Sequence, residues 1–308
     1  MSDPCGILVP MPKTPHRPPV MVNKIFRGTR MVRRGLVTRA ELRSSAWQPL
    51  FRDVFADAGL ERNHRLLCKA AGAFLLPAGA AIAGRSAAYL YGVRLVGGDD
   101  PVEVVTPGRF GPMAGLVVHK GQLVAKDRRT VDSIPVTSPH RVCWDLACWM
   151  ELVEAIVFVD AMAAQRLVTR ESLRRYAEER AGERGHARVM RVVELMEAAA
   201  ESPQESRLRV RLVLAGLPRP VAQYIVTKGE AFVARVDLAW PELKIAIEYD
   251  GRWHASASQL EHDRKRLNRL LGQEWMVFHV TADQLRNNFD ELVAQLRSAI
   301  RARARRSR

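Results

Sequence analysis

Arg235-Val-Asp-Leu-Ala-Trp-Pro-Glu-Leu-Lys-Ile-Ala-Ile-Glu-Tyr-Asp-Gly-Arg-Trp-His254 is the stretch on which the fold of the C-terminal third turns. From Phe232 to Asp250 it has the alternation of a β-hairpin, with Trp240-Pro241-Glu242-Leu243 at the turn. Phe232, Ala234, Val236 and Leu238 take one face of the first strand and leave Arg235 and Asp237 on the other. On the second strand Leu243, Ile245, Ile247 and Tyr249 alternate with Lys244, Glu248 and Asp250. With the turn centred between Glu242 and Leu243, Asp237 lies directly opposite Glu248; a two-residue slip makes them diagonal neighbours. In both registers they share a face. Directly opposed carboxylates have Cβ atoms about 5 Å apart, and like charges so placed destabilise a hairpin unless something positive lies between them. A divalent cation is the simplest candidate, and oxygen-only ligands select Mg²⁺ or Mn²⁺ over softer ions. Such an ion activates a bound water and stabilises charge building on a phosphodiester during hydrolysis. The plain alternative is a surface hairpin that carries two acids.

Upstream, Ser202-Pro-Gln-Glu205 opens a helix that runs to about Ala215 and stops at Gly216, with Pro218 beyond. Ser202 is the N-cap, Pro203 suits the first turn and Glu205 takes the capping-box position. Glu205 is therefore read first as a cap and second as an outer metal ligand. Downstream, Asp263 and Arg266 stand three apart on a helix expected from Ser258 to Leu271, with Leu267, Leu270 and Leu271 as its buried stripe. The two charges form a surface ion pair, or they hold the site or contact phosphate. A last helix, Phe289 to Ile300, leads into a tail containing Arg301, Arg303 and Arg305. Such runs are usually solvated; beside a nuclease they add salt-sensitive affinity for phosphates.

With these residues in order, the region resembles the endonuclease-like family related to Vsr, within the restriction-endonuclease-like, or PD-(D/E)XK, superfamily. The resemblance rests on Arg235-Val-Asp-Leu-Ala-Trp, Ala246-Ile-Glu-Tyr-Asp-Gly, His254, Asp263 with Arg266, and Gly272 before a strand from Trp275 to Val280. It implies a mixed sheet flanked by helices, Asp237 and Glu248 as metal ligands, and DNA as the substrate class. The superfamily places a lysine two residues after the second acid, whereas this chain has Asp250 there. Asp250 is then a candidate third ligand, and His254 a candidate general base or acid near neutral pH.

Toward the N-terminus the pattern is helical from Asn23 to Gly35, then Thr38 with Glu41 forms a capping box, and a third short helix is expected at Trp47 to Phe51 before a β-prone Val54-Phe55. Gly84-Arg-Ser-Ala-Ala-Tyr-Leu and Pro135-Val-Thr-Ser-Pro-His-Arg-Val-Cys-Trp-Asp-Leu-Ala follow, among an Ala-rich segment through Leu76, a helix near Ser86 to Tyr91 and strands near Val102 to Thr106 and Leu116 to His119. This order resembles the AbiEi family of type IV antitoxins, which implies DNA binding through an N-terminal winged helix. Arg141 and Asp145 read most simply as a buried ion pair or helix-end charges. The expected organisation is a multidomain α+β and α/β chain: a disordered leader (1–22), a winged-helix-like segment (23–61), an AbiEi-like α+β region (62–165), a helical connector (166–200), a Vsr-like endonuclease domain (201–300) and an arginine-rich tail (301–308).

The composition, 308 residues with 47% hydrophobic, 26% charged and a formal charge of +15, is that of a globular protein with a positive field suited to polyanions. The small-apolar stretch Cys68 to Gly84 is broken by Pro77, and the proline-rich N-terminus has no apolar signal core, so a cytoplasmic, non-membrane protein is expected. Cys5, Cys68, Cys143 and Cys148 form no zinc-ligand spacing. The first function expected is a Mg²⁺- or Mn²⁺-dependent DNA endonuclease with an N-terminal DNA-binding module. The alternative is an antitoxin-like or transcriptional regulator whose nuclease fold is a non-catalytic platform. RNA stays open as a substrate, and a second copy of the chain or a partner from a defence or toxin–antitoxin module are the candidate protein partners.

Overall fold

The computed structural model describes residues 15–250 and 265–306, so Cys5, His254 and Asp263 lie outside the described residues. The chain divides into two compact units, one holding the residues up to Leu90 with Val96–Thr137, the other Tyr91–Leu95 with everything from Ser138. Both are mixed α and β.

The first unit begins with β1 (Ile25–Arg27), α1 (Gly28–Arg33), β2 (Trp47–Phe51) and β3 (Val54–Asp57), whose strands form an antiparallel sheet in the order β1-β3-β2. Two expectations are corrected here. The helix expected from Asn23 starts as a strand, because Ile25, Phe26 and Arg27 pair with Ala56, Phe55 and Val54. The third helix expected at Trp47–Phe51 is the strand β2. Aromatics four apart fit one face of a helix or of a strand equally, and Pro49, which breaks a helix interior, is tolerated on an edge strand such as this. The expected leader is also tied down at its end: Arg17 pairs with the buried carboxylate of Asp57, and Met21 packs in a core cluster with Phe26, Met31 and Trp47. The same unit continues with α2 (His64–Phe74), β4 (Ala81–Ile82), α3 (Gly84–Leu90), β5 (Val102–Thr106), β6 (Leu116–Lys120), β7 (Arg128–Val131) and β8 (Ile134–Thr137), in a five-stranded sheet of order β6-β5-β4-β8-β7. Every residue of β5 is buried, Glu103 and Thr106 included, and the Glu103 carboxylate is met by Arg85.

Helices α4 (Pro139–Trp149), α5 (Leu152–Ala164), α6 (Arg170–Glu178) and α7 (His186–Leu195) open the second unit. Their starts are set locally. Ser138 accepts the N–H of Arg141 with Pro139 in the first turn, and Thr169 forms a capping box with Ser172. Arg141 and Asp145 form the expected buried pair at 2.8 Å, and Cys148 is a free thiol that burial pushes up to about 11.

α8 (Pro203–Leu214) follows, capped by Ser202, whose hydroxyl accepts the Glu205 N–H at 3.2 Å. Beneath it lies a mixed sheet of β9 (Val221–Lys228), β10 (Ala231–Trp240), β11 (Ile245–Asp250) and β12 (Met276–Thr281), in the order β12-β11-β10-β9. Only the β11–β12 pair is parallel. Alternation along β11 sends Ile245 and Ile247 into a cluster with Leu208 and Leu212 of α8, and Ala246 into a second cluster with Leu270 and Trp275. Residues 265–271 (α9) are helical and supply Leu270; Leu271, expected in the buried stripe, is 53% exposed. α10 (Ala282–Asn287) and α11 (Phe289–Arg306) complete the unit, and Leu292, Val293 and Leu296 join the α8 cluster. The arginine-rich tail is therefore corrected: residues 301–306 continue α11, for Ala and Arg propagate a helix already anchored upstream. Among the described residues no helix is long and apolar enough to cross a membrane.

Candidate functional site

Pro241 opens the β10–β11 turn and Lys244 closes it with φ +49°, so that Trp240 pairs with Ile245, Ala239 with Ala246 and Leu238 with Ile247. One further step in this register sets Asp237 opposite Glu248, the first of the two registers read from the sequence. Strict alternation fails just here. Val236 packs in the cluster with Ala239 and Ala246, whereas Leu238 joins Ile245 and Ile247. On the neighbouring strand Gln223 has φ +50°, a left-handed conformation unfavourable for a residue with a Cβ. Its amide reaches Glu205 Oε2 at 2.8 Å and Asp237 Oδ1 at 3.4 Å, joining the first turn of α8 to β10. Asp237 Oδ2 accepts the backbone N–H of Tyr249 at 2.8 Å.

Glu248 is 5% exposed. Arg266 donates to its Oε2, while Oε1 is buried and has no hydrogen-bond partner among the described residues. Burial raises the pKa of Glu248, as do the charges of Asp237 and Asp250, against the opposing pull of Arg266 and His279. Burial likewise raises that of Asp237, with the Glu205 charge adding to it and the Tyr249 N–H and Gln223 opposing.

The other expected residues fall into two groups. Glu205 Oε2 accepts the N–H of Glu201, the residue before the Ser202 cap, at 3.0 Å and also holds the Gln223 amide. Arg266 supports the site directly through Glu248; its expected pairing with Asp263 lies outside the described residues, as does His254. Arg235 instead forms a bidentate, exposed ion pair with Glu201 at 2.8 and 2.9 Å. Arg303 donates to the Glu274 carbonyl at 2.8 Å, and Arg301 and Arg305 are exposed on α11. Two residues escaped the sequence reading. Gln223 is one, with no local signal beyond being polar in a strand. His279 is the other: β12 runs parallel to β11 with His279 in register with Glu248, and its Nδ1 lies 3.2 Å from Asp250 Oδ2. A polar residue inside the apolar run Met276–Thr281 was its one trace.

Among the described residues no three or more acidic, histidine or cysteine side chains gather closely enough to hold a metal ion, so Asp250 is not assembled with Asp237 and Glu248 as a third ligand. Asp237 and Glu248 do fit a smaller demand. Mg²⁺ is commonly held by one or two carboxylates, with water and substrate phosphate completing its shell, and the unpartnered Glu248 Oε1 is an acceptor that such an ion would satisfy.

The raised carboxylates make a stability prediction. A group whose folded pKa exceeds its unfolded value opposes folding when ionised, and that opposition fades as pH falls through the raised value toward the ordinary carboxylate range. Asp237→Asn keeps an acceptor for the Tyr249 N–H and removes the charge. In metal-free buffer it is expected to raise the melting temperature by a few degrees at neutral pH, at about 2–4 °C per kcal/mol, and by less in mild acid. Mg²⁺ or Mn²⁺ is expected to raise the melting temperature of the unsubstituted chain and not of the variant. A lower melting temperature for Asp237→Asn at neutral pH would show that the ionised carboxylate is stabilising.

The chain is 28% identical over 197 residues to two Mycobacterium tuberculosis proteins, "Uncharacterized protein MT2308" (strain CDC 1551 / Oshkosh) and "Uncharacterized protein Rv2248" (strain ATCC 25618 / H37Rv), an alignment covering 63% of this chain and 72% of each relative. No family model and no solved structure matches it.

Proposed function

We propose that the second unit is a metal-dependent DNA endonuclease of restriction-endonuclease-like fold, and that the first unit is a winged-helix-containing module that binds DNA. The observation that carries the catalytic part is the opposed Asp237–Glu248 pair at the centre of a mixed sheet, with one Glu248 oxygen buried and unpartnered among the described residues. Keeping two such carboxylates ionised side by side requires positive charge, of which Arg266 supplies a share, most directly to Glu248 Oε2.

Asp237 and Glu248 are the residues that would hold Mg²⁺ or Mn²⁺, and the bound ion would supply an activated water and charge stabilisation for phosphodiester hydrolysis. The chain's own groups prepare the rest. Gln223 and the Tyr249 N–H fix the rotamer of Asp237. Arg266 orients Glu248 and presents a guanidinium suited to phosphate. Asp250 stands where the superfamily's lysine is expected and orients His279, whose half-exposed ring is the proton-handling group among the described residues. The +15 charge favours approach of a polyanion.

A second reading, a regulator that binds DNA through a silent nuclease fold, is favoured by Arg266 already neutralising Glu248 and by the lack of a third ligand among the described residues. One assay separates them. Purified protein is incubated with Mg²⁺ or Mn²⁺ and duplex, mismatched, branched or single-stranded DNA, with RNA as a comparison. The nuclease reading expects nicking or cutting that a chelator stops. DNA binding without cleavage on every substrate would establish the regulator.

A further inference from the structure

The first unit carries a second feature that the Asp237–Glu248 chemistry does not use. Between α1 and the β2–β3 turn lies an open cleft of about 570 Å³, within the usual range of about 300–1,000 Å³ for ligand pockets. Val32, Leu42 and Phe55 form its apolar part, and Arg33, Arg39 and Arg43 line it with positive charge. Phe55 is half-buried and stacks on Phe26, with centroids 6.2 Å apart and ring planes 16° apart, so its orientation is fixed. Gly28 makes this seat feasible, because a Cβ there would meet the Phe55 ring at 2.7 Å.

The arginines of this unit are of two kinds. Arg17, Arg62, Arg65 and Arg85 each meet a carboxylate. The guanidinium groups of Arg33, Arg39 and Arg43 meet none among the described residues. Two acids stand near these arginines, Glu41 and Asp53, the second of which itself lines the cleft, and both accept hydrogen bonds from other groups. Glu41 accepts the Thr38 N–H at 2.6 Å, and Asp53 accepts the N–H and hydroxyl of Thr29 at 2.7 and 2.6 Å. Three like charges around one cleft repel each other, and an anion is what relieves them. Guanidinium forks match phosphate oxygens, and a flat apolar body suits the aromatic floor.

We propose that this cleft is a nucleotide-binding site, with phosphate on Arg33, Arg39 and Arg43 and the base against Val32, Leu42 and Phe55. The ligand is a nucleotide from one of two sources: free in solution, or a single unstacked nucleotide of a nucleic-acid strand. The site is independent of the proposed nuclease chemistry.

Isothermal titration of the full chain without divalent ions tests this, using adenosine 5′-monophosphate, inorganic phosphate and a short single-stranded oligothymidylate. At least one nucleotide probe is expected to bind about tenfold or more tighter than phosphate, since a stacked base adds affinity that phosphate alone lacks. Arg39→Gln with Arg43→Gln, both at exposed positions and checked by thermal melting, is expected to weaken that binding by about tenfold. Phe55→Leu is expected to weaken nucleotide about fivefold and leave phosphate unchanged. Oligonucleotide bound tighter than the mononucleotide, with the gain lost in the arginine variant, assigns the strand as source; mononucleotide binding that the oligonucleotide does not displace assigns the free nucleotide. Nucleotides binding no tighter than phosphate, or binding unaffected by the arginine substitutions, would overturn the proposal.

Discussion

Alanine at Asp237 or at Glu248 is expected to abolish DNA cleavage, with a fall of about 10²–10³-fold or more, the scale on which removal of one preorganised charge-stabilising group is felt. Affinity for duplex DNA is expected to stay within a few-fold, because backbone contacts by basic residues dominate nucleic-acid binding. The two alanine variants differ structurally. Asp237→Ala removes the acceptor of the Tyr249 N–H and the Gln223 amide, whereas Glu248→Ala leaves Arg266 without its carboxylate. Asp237→Asn separates lost folding from lost chemistry, since it is expected to be inactive yet more heat-stable than the unsubstituted protein without metal. Cleavage rates, DNA affinities and melting curves on the three proteins together test the site. A variant that cuts at the original rate would remove that carboxylate from the reaction.

The second large effect concerns stability. Arg209 is fully buried, donating to Leu195 O at 2.6 Å and to Asp160 Oδ2 at 2.8 Å. Asp160 also accepts from the Ser206 hydroxyl at 2.7 Å and the Glu197 N–H at 2.6 Å, so one carboxylate ties α5, α8 and the chain after α7 together. Arg209→Ala or Asp160→Ala strands a buried partner and is expected to destabilise the second unit by about 3–5 kcal/mol. Replacing both with apolar residues of similar volume is expected to recover most of that loss, because desolvation offsets much of what the pair gains. Urea unfolding of the single and double variants measures this. Single losses below about 1 kcal/mol would place the pair in the solvated class of ion pairs.

Arg209 and Asp160 also show where reading the chain alone stops. Arg209 sits in the helical run of α8 between Leu208 and Val210 and has no local mark of burial. Its partner lies 49 positions away. The same holds at the site. Gln223 and His279 come from β9 and β12, and only strand pairing brings them beside Asp237 and Glu248. Trp47–Phe51 failed for a related reason: its spacing suits helix and strand alike, and pairing with β3 decided between them.

By itself the sequence determined what short-range physics controls. Ser202 caps its helix and Pro241 opens the hairpin turn, and the register running out from that turn sets Asp237 against Glu248. These outcomes depend on neighbours a few residues apart, whose preferences are written in the local order of side chains. Tertiary structure alone decided that Arg266 holds Glu248, that Asp250 meets His279, and that Glu248 Oε1 is buried without a donor among the described residues. Those facts arise where segments distant in the chain meet, and burial and hydrogen-bond satisfaction there follow from how the sheet and its flanking helices pack.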